Sequence, residues 1–297
     1  MAGYSLIILH HDKVAYSRAC LESVLRTTAR PLEIINVDNG SRDATPALLD
    51  EWEARAQAVG ITTRRLSYPS NIGAVRGRNE ALKVAGGQYL AFLDNDTVLA
   101  QADWLEQLAA ALTQRPGCGI VVPALLFPWA PYRVECCGAA VSPGGRIRYL
   151  QRGDAAETLA PPREVQCAIS AAWLMSRELV EAIGELDEEF SPVQYEDLDY
   201  CYRARRAGWK VWTAPQVRLY HFEHTTTAGS DDINFRYVTT KNGLLFKKRW
   251  SSMFAGEAGS TEEEAAWLTL PKHSIEEVDW RALPPGSGPF PETGTPP

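Results

Sequence analysis

Through residue 113, short apolar runs alternate with stretches of helical spacing, and no other feature restricts the fold of this chain as much. Residues 4–9 (YSLIIL), 32–37 (LEIINV), 61–66 (ITTRRL) and 88–93 (QYLAFL) read as strands. Each is short, apolar or β-branched, and bounded by polar or glycine stops. Helical spacing links Cys20, Leu21, Val24 and Leu25, then Leu48, Leu49, Trp52 and Ala56, then residues 74–85, then Trp104, Leu105, Leu108 and Leu112. Thr45 reads as an N-cap with Pro46 at the first helical position, and Gly86-Gly87 as the stop of the third helix. This alternation predicts an α/β fold with a mostly parallel central sheet and helices on both faces. Ligands of such sheets bind beyond the C-terminal ends of the strands. The polar clusters at 10–12, 38–43 and 94–96 each follow a strand, so they are expected to converge on one edge.

The second half is less regular. Residues 126–164 are rich in Pro, Gly and Arg and read as an excursion or long loop. Residues 165–175 (VQCAISAAWLM) read as a further strand, Glu178–Ile183 as a short helix, and 196–207 as a longer helix stopped by Gly208. Lys210–Thr213 and Val217–His221 read as two short strands, and 232–249 as a last helix. Composition changes near residue 250: seven of the 19 prolines and a net charge of −6 fall in 251–297, an acidic, Pro-rich C-terminal extension. Its last stretch (LPPGSGPFPETGTPP) cannot build a core. From 255 onward, a tail without structure and a tail folded back over the domain are both open readings.

The net charge of the whole chain is −7, so the body without the extension carries only −1. That is no footprint for nucleic acid, and none is expected as a partner. No apolar run approaches the roughly 20 residues that cross a bilayer. The start MAGYSLIIL lacks the basic leader and cleavage site of a signal peptide. The six cysteines show no C-x-x-C spacing and are expected to be reduced thiols of a cytoplasmic protein. The pair Cys136-Cys137 is read as packed, with a redox or metal role as the alternative.

Four groups of residues carry the candidate chemistry. In Asp94-Asn95-Asp96, two carboxylates two residues apart at a strand end can face one hard cation, although a solvated turn explains them as well. Asp38-Asn39-Gly40-Ser41 is a good turn, and at a ligand edge Asp38 could accept hydrogen bonds from a nucleobase. Asn71-Ile72-Gly73, followed by Arg76, Arg78 and Asn79, opens a helix, a placement that suits anions. Glu196-Asp197 starts another helix: the acids either complement its dipole or supply a general base, with Asp199 turned away around the helix. His221 and His224 follow the last strand, where a metal or phosphate role competes with packing.

The order and spacing of SLIILHHDK, INVDNGSRDAT, NIGAVRGRNEAL, YLAFLDNDTVL, AISAAWLMSRELVEAIGELDEEF, YEDLDYCYRARRAGWKVW and APQVRLYH resemble those of family 2 glycosyltransferases with the GT-A fold. The subgroup they resemble includes bacterial rhamnosyltransferases and other cell-surface polysaccharide enzymes. The resemblance runs from about Ser5 to about Arg249. It implies a GT-A domain over about 1–250, with a nucleotide-binding half over about 1–115 and an acceptor and catalytic half over about 116–250. By its motifs, Asp38 with Asn39 contacts the nucleobase. Asn71, Gly73, Arg78 and Asn79 support the nucleotide region, and Asp94 with Asn95 lies near nucleoside and diphosphate. Asp96 and His221 hold a divalent metal, Mn²⁺ or Mg²⁺, and Asp197, with Glu196 beside it, is the catalytic base. His10-His11-Asp12 and Arg42 depart from the family's usual residues.

The resulting expectation is an inverting, metal-dependent transfer from a UDP-, dTDP- or GDP-sugar to a hydroxyl of a carbohydrate or lipid-linked acceptor. It includes peripheral contact with the inner face of a membrane. Residues 126–164 and those after His221 are expected to shape the acceptor site. Arg146, Arg148 and Arg152 read as a solvated loop, with contact to an anionic acceptor or lipid phosphate as the alternative. Trp250, Met253 and Phe254 read as packing, with a membrane or partner contact as the alternative. A nucleotidyltransferase would need a glycine-rich loop where this chain has HHDKVAYSR. A non-catalytic nucleotide-sugar or glycan-binding protein on the same fold is the competing reading.

Overall fold

The computed structural model describes residues 3–223 and 233–286. The first half is built from β1 (Tyr4–His10), α1 (Val14–Val24), β2 (Leu32–Asp38), α2 (Thr45–Ala58), β3 (Thr62–Ser67), α3 (Ala74–Val84) and β4 (Tyr89–Asp94). These four strands run parallel in the order β3-β2-β1-β4. Their register sets Leu9 beside Asp94 and His10 beside Asp38, so the polar loops do share one edge. The second half contributes β5 (Thr97–Leu99), α4 (Trp104–Thr113), β6 (Cys118–Leu126), β7 (Val134–Cys136), β8 (Ala139–Val141), β9 (Ile147–Tyr149), β10 (Glu164–Val165), β11 (Ala172–Ser176), α5 (Arg177–Ile183), α6 (Glu196–Arg206), β12 (Lys210–His221) and α7 (Phe235–Phe254).

Both faces of the sheet are covered, which is why its central strands are apolar at nearly every position. Leu6, Ile8, Ile34 and Leu93 pack with residues of α1, α2 and α4. Ile7, Ile35 and Phe92 pack on the other face with residues of α3, α6 and α7. Trp250 and Phe254 are buried in this second cluster and Met253 packs on it, so all three serve packing.

The parallel pattern holds through β4 and then changes. β11 is antiparallel to both of its neighbours, β4 and β6, whereas β12 returns parallel to β6. The strand β6 is absent from the sequence reading, although all nine of its residues are buried. Its Gly119 and Pro123 disguise it. Pro123 pairs with Ala214 at a register shift, after which Ala124 pairs with Arg218. A proline without an N–H is tolerated at such an irregularity. The same shift splits β12 in the sequence, where it reads as two strands. Residues 165–175 resolve into the end of β10, a connection, and β11. Helix α2 begins at Thr45 itself, so its N-cap is Ala44, one residue earlier than expected, and Asp43 Oδ1 accepts from the Thr45 N–H at 2.8 Å. Helix α3 ends at Val84, just before the glycines.

The segment 126–164 is an excursion with its own two-stranded sheet of β8 and β9. The described part of the extension folds back over it. Glu262 and Glu264 meet Arg146 and Arg148, and Glu257 meets Arg205. The Ile275 N–H donates to Tyr16 Oη at 3.1 Å, and Tyr220 Oη donates to the Pro284 carbonyl at 3.0 Å. Six cysteines are free and buried. Among the described residues, no helix is long and apolar enough to cross a membrane.

Candidate functional site

A cavity of about 560 Å³ opens at the C-terminal edge of the sheet. Its wall includes His11, Arg78, Asp94, Asn95, Asp96, Glu196, Asp197 and His221. The short strand β5 explains how residues far apart in sequence meet there. It turns back from β4 and pairs antiparallel with the end of β12, His221 opposite Thr97. The Phe222 N–H also donates to the Asp96 carbonyl at 3.0 Å. His221 Nε2 then lies 3.2 Å from Asp96 Oδ1. Asp94, Asp96 and His221 each present one ligand atom, and these atoms lie within 4.8 Å of one another. Two carboxylate oxygens and an imidazole nitrogen at that spacing fit a divalent cation.

Sequence reasoning missed Glu135. It is fully buried on β7, and its Oε2 lies 2.8 Å from His221 Nδ1. With Nδ1–H donated to Glu135, Nε2 faces Asp96, protonated in the metal-free protein and free to ligate only once that proton is lost. A carboxylate behind a ligating histidine fixes its tautomer and ring orientation in this way. Burial opposes charging His221, whereas Glu135 and Asp96 together raise its pKa well above the ordinary value. No motif marks Glu135 in the stretch RVECCG, because only the pairing of β7 with β6 brings it to the cavity.

Arg78 is the hub on the other side. Its Nη2 donates to Asp94 Oδ1 at 2.5 Å, and its Nη1 donates to Ser170 Oγ at 2.6 Å and to Glu196 Oε1 at 3.4 Å. Burial pushes the Glu196 carboxyl up to about 8, with Asp197 adding to the effect and Arg78 opposing it. Glu196 is thus turned to Arg78 and buried, whereas Asp197 beside it is more exposed to the cavity. Asp197 accepts from the Leu198 N–H at 2.8 Å and the Ser170 N–H at 3.2 Å. Burial raises its pKa, and these two donors work against the rise. Asp199 is fully buried and held by Arg203, Arg249 and the Trp250 indole N–H, so it is a structural acid.

The loop entering α6 is clamped by a residue that sequence reasoning also missed. Asn242 of α7 donates its side-chain amide to the carbonyls of Phe190, Val193 and Gln194 at 2.7–2.9 Å. Gln194 and Tyr195 sit at φ of 80° and 70°, a left-handed conformation that needs such support.

Several expected donor-site residues are not among those that line this cavity, and each is held by its neighbours. The Asn79 amide bonds both the N–H and the carbonyl of Leu186, so it is a backbone clamp. Gly73, at φ 88°, lets the start of α3 approach Pro192, where a Cβ would stand 2.8 Å from its Cα. Asn39 joins Asn71 and the Ile72 N–H, and its carbonyl lies 2.9 Å from His11 Nδ1. Asp38 Oδ1 accepts from the Ser41 N–H at 3.0 Å. Asn95 bonds Ser17 Oγ at 2.9 Å and stays on the wall. Arg152 is buried against Glu223, which removes it from the solvated-loop reading. His224 lies outside the described residues.

Comparison with known proteins agrees with this geometry. Residues 5–184 match the family model described as glycosyl transferase family 2. The chain is 32% identical over 258 residues to the uncharacterized protein y4gI of Sinorhizobium fredii, covering 84% of this chain and 27% of that one. It is 31% identical over 228 residues to the O-antigen biosynthesis protein RfbC of Myxococcus xanthus, covering 74% of this chain and 17% of that one. It therefore spans about a quarter or less of these relatives. A crystal structure of GalNAc-T7 with UDP, GalNAc and Mn²⁺ superposes with a TM-score of 0.67 at 17% identity, over 84% of this chain and 48% of that one. At that identity the likeness speaks for the fold.

Proposed function

The chain belongs to glycosyl transferase family 2, and from that premise we propose that it transfers a sugar, with inversion, from a nucleoside diphosphate to an acceptor hydroxyl. The observation that carries the reading is one cavity walled both by the Asp94–Asp96–His221 cluster and by Asp197. Asp94, Asp96 and His221 would hold a divalent cation. Bound there, Mn²⁺ or Mg²⁺ would neutralise the charge that develops on a leaving diphosphate.

The chain's own groups do the rest. Glu135 and the end of β12 orient His221. Arg78 fixes Asp94 and Glu196. Asp197 takes the proton of the acceptor hydroxyl as its oxygen attacks the anomeric carbon opposite the leaving group. That one displacement inverts the centre and needs no covalent intermediate. General-base assistance of this type contributes about 10²–10⁴-fold. Residues of about 1–115 supply the nucleotide side of the cavity in this reading, and those of about 116–250 the acceptor side. The RfbC relative is named for O-antigen biosynthesis, which supports a role in cell-surface polysaccharide or glycoconjugate assembly at the cytoplasmic face of a membrane.

The test is a screen of UDP-, GDP- and dTDP-sugars with Mn²⁺, Mg²⁺ or EDTA, following nucleoside diphosphate release. Metal-dependent release from one donor class, lost in Asp96→Ala, is the expected result. No release from any donor, together with no melting shift on adding nucleotide, would overturn the proposal. Binding without release, in the presence of an acceptor extract, would move the assignment to a nucleotide-sugar-binding protein.

A further inference from the structure

Next to the catalytic cavity lies a second groove of about 470 Å³, between the excursion and the folded-back extension. Ile147, Tyr149 and Trp267 belong to the walls of both, so the groove continues the site outward. Its far wall comes from residues 259–268, beyond the matched family segment 5–184.

Three features describe what this groove would take. The first is Trp267. It is 50% exposed, unusual for an indole held in place. Arg152 lies against its ring at 4.2 Å, and Tyr149 meets it edge-on at 5.2 Å. Two contacts thus hold the ring, while half of the residue stays exposed beside the groove. The second is charge. Arg148 is paired with Glu264 and Arg152 with Glu223, leaving Arg163 and Asp154, one of each sign, as the lining charges without an ion-pair partner among the described residues. Glu223 is shared with Lys272, so the groove and its neighbours carry one net positive charge, well short of the basic patch that a phosphate or an anionic lipid surface calls for. The third is a buried donor. The Arg152 side chain is 5% exposed, and its Nη1 has no hydrogen-bond partner, although Nη2 donates to Glu223 and Nε to the Leu268 carbonyl. Nη1 has almost no accessible surface, so an oxygen in the groove would reach this unmet donor on a small rotation of the guanidinium.

We propose that this groove is a saccharide subsite, which holds a neutral sugar unit of the acceptor next to the unit that receives the transferred sugar. Trp267 is its stacking platform, and Arg152, on that rotation, supplies a donor to a ring or hydroxyl oxygen. The apolar face of a pyranose suits a fixed indole, and the polar lining suits its hydroxyls. The inference rests on the glycosyltransferase reading. It adds that the acceptor is a glycan recognised over more than one residue, by a wall the family segment does not contain.

The experiment is saturation-transfer difference NMR on the full chain. The probes are methyl glycosides of neutral hexoses and 6-deoxyhexoses, neutral disaccharides, and, as the opposing arm, inorganic pyrophosphate and anionic phospholipid vesicles in a binding assay. Melting curves and far-UV circular dichroism check that each variant is folded. Disaccharide ring protons are expected to receive saturation in the wild type, at least about threefold less in Trp267→Ala, and close to the wild-type amount in Trp267→Phe. A signal unchanged in folded Trp267→Ala, or no signal from any neutral sugar, would overturn the subsite. So would binding of pyrophosphate or vesicles that is lost in Arg163→Gln while neutral sugars stay silent. Donor hydrolysis by the wild type, run in parallel, separates the two readings: its absence sinks the transferase, whereas its presence with silent sugars sinks only the subsite.

Discussion

Arg78 offers the most searching test of how the cavity is held together. Its guanidinium is nearly buried, touches Asp94 and Glu196, and lies 5.0 Å from the centre of the Phe92 ring. Burial raises the carboxyls of Asp94, Glu196 and Asp197, and Arg78 opposes the rise in all three. Arg78→Met keeps the stem on Phe92 and removes the charge. Breaking a buried ion pair from one side costs about 3–5 kcal/mol. The lower end applies here, because the Asp94 side chain is 34% exposed and water screens its share. A loss of about 3 kcal/mol lowers the melting temperature of a domain of this size by roughly 6–12 °C. The loss should grow with pH, since a protonated Glu196 needs Arg78 less than an ionised one. Glu196→Gln in the Arg78→Met background removes the stranded acid and should recover about 1 kcal/mol or more, read as a double-mutant coupling. Urea unfolding of the metal-free protein at pH 6 and pH 8.5 measures all four corners. Additive single effects, or a loss that does not change with pH, would refute the hub.

Three further predictions concern the same wall. Asp197→Asn should lower turnover by about 10²–10⁴-fold while nucleotide still raises the melting temperature; near-normal turnover would remove Asp197 as the base. Glu135→Gln should weaken Mn²⁺ binding by about 10–100-fold in an electron paramagnetic resonance titration, and unchanged affinity would mean that Glu135 does not orient His221. Glu196, raised from an ordinary 4.5 to about 8 in the fold, contributes stability that is fully present below about pH 4.5 and is lost as pH rises through about 8. The apo wild type should therefore lose melting temperature more steeply than Glu196→Gln between pH 5 and 8, and parallel curves would contradict the assignment.

The parts of this molecule that could be read from sequence are those where one local rule suffices. β1, β2 and β4 are apolar runs that stop at polar residues, and parallel pairing then forces His10, Asp38 and Asp94 to one edge. That Asp96, His221 and Asp197 share one cavity was legible because their motifs have a fixed order along the chain. β6 was hidden by Pro123, whose missing N–H is excused only by a register shift in a partner strand almost a hundred residues away. Glu135 and Asn242 carry no motif, since each acts through tertiary contacts that local spacing does not encode. Asn79 and Gly73 were read by position as donor contacts, yet one bonds Leu186 and the other makes room for Pro192. The docking of the extension depends on ion pairs with the excursion, for which its acidic composition was a clue without a partner.

The pairing of β5 with β12 also sets an order of assembly. Glu135 and His221 are 86 residues apart, and Arg78 and Glu196 are 118 apart. Contacts of such separation close late, after local helices and the first parallel strands have formed. A nascent chain that has reached Leu112 already carries the Asp94–Asp96 turn, yet it lacks the His221 that completes the cluster and the Glu196 that answers Arg78. A cation held by all three side chains would therefore require that β12 had threaded into place beside β6. In the proposed reading such a site would act as a checkpoint on folding: a chain that arrests or misregisters before that strand would present two acids to solvent and gain no binding energy to hold them.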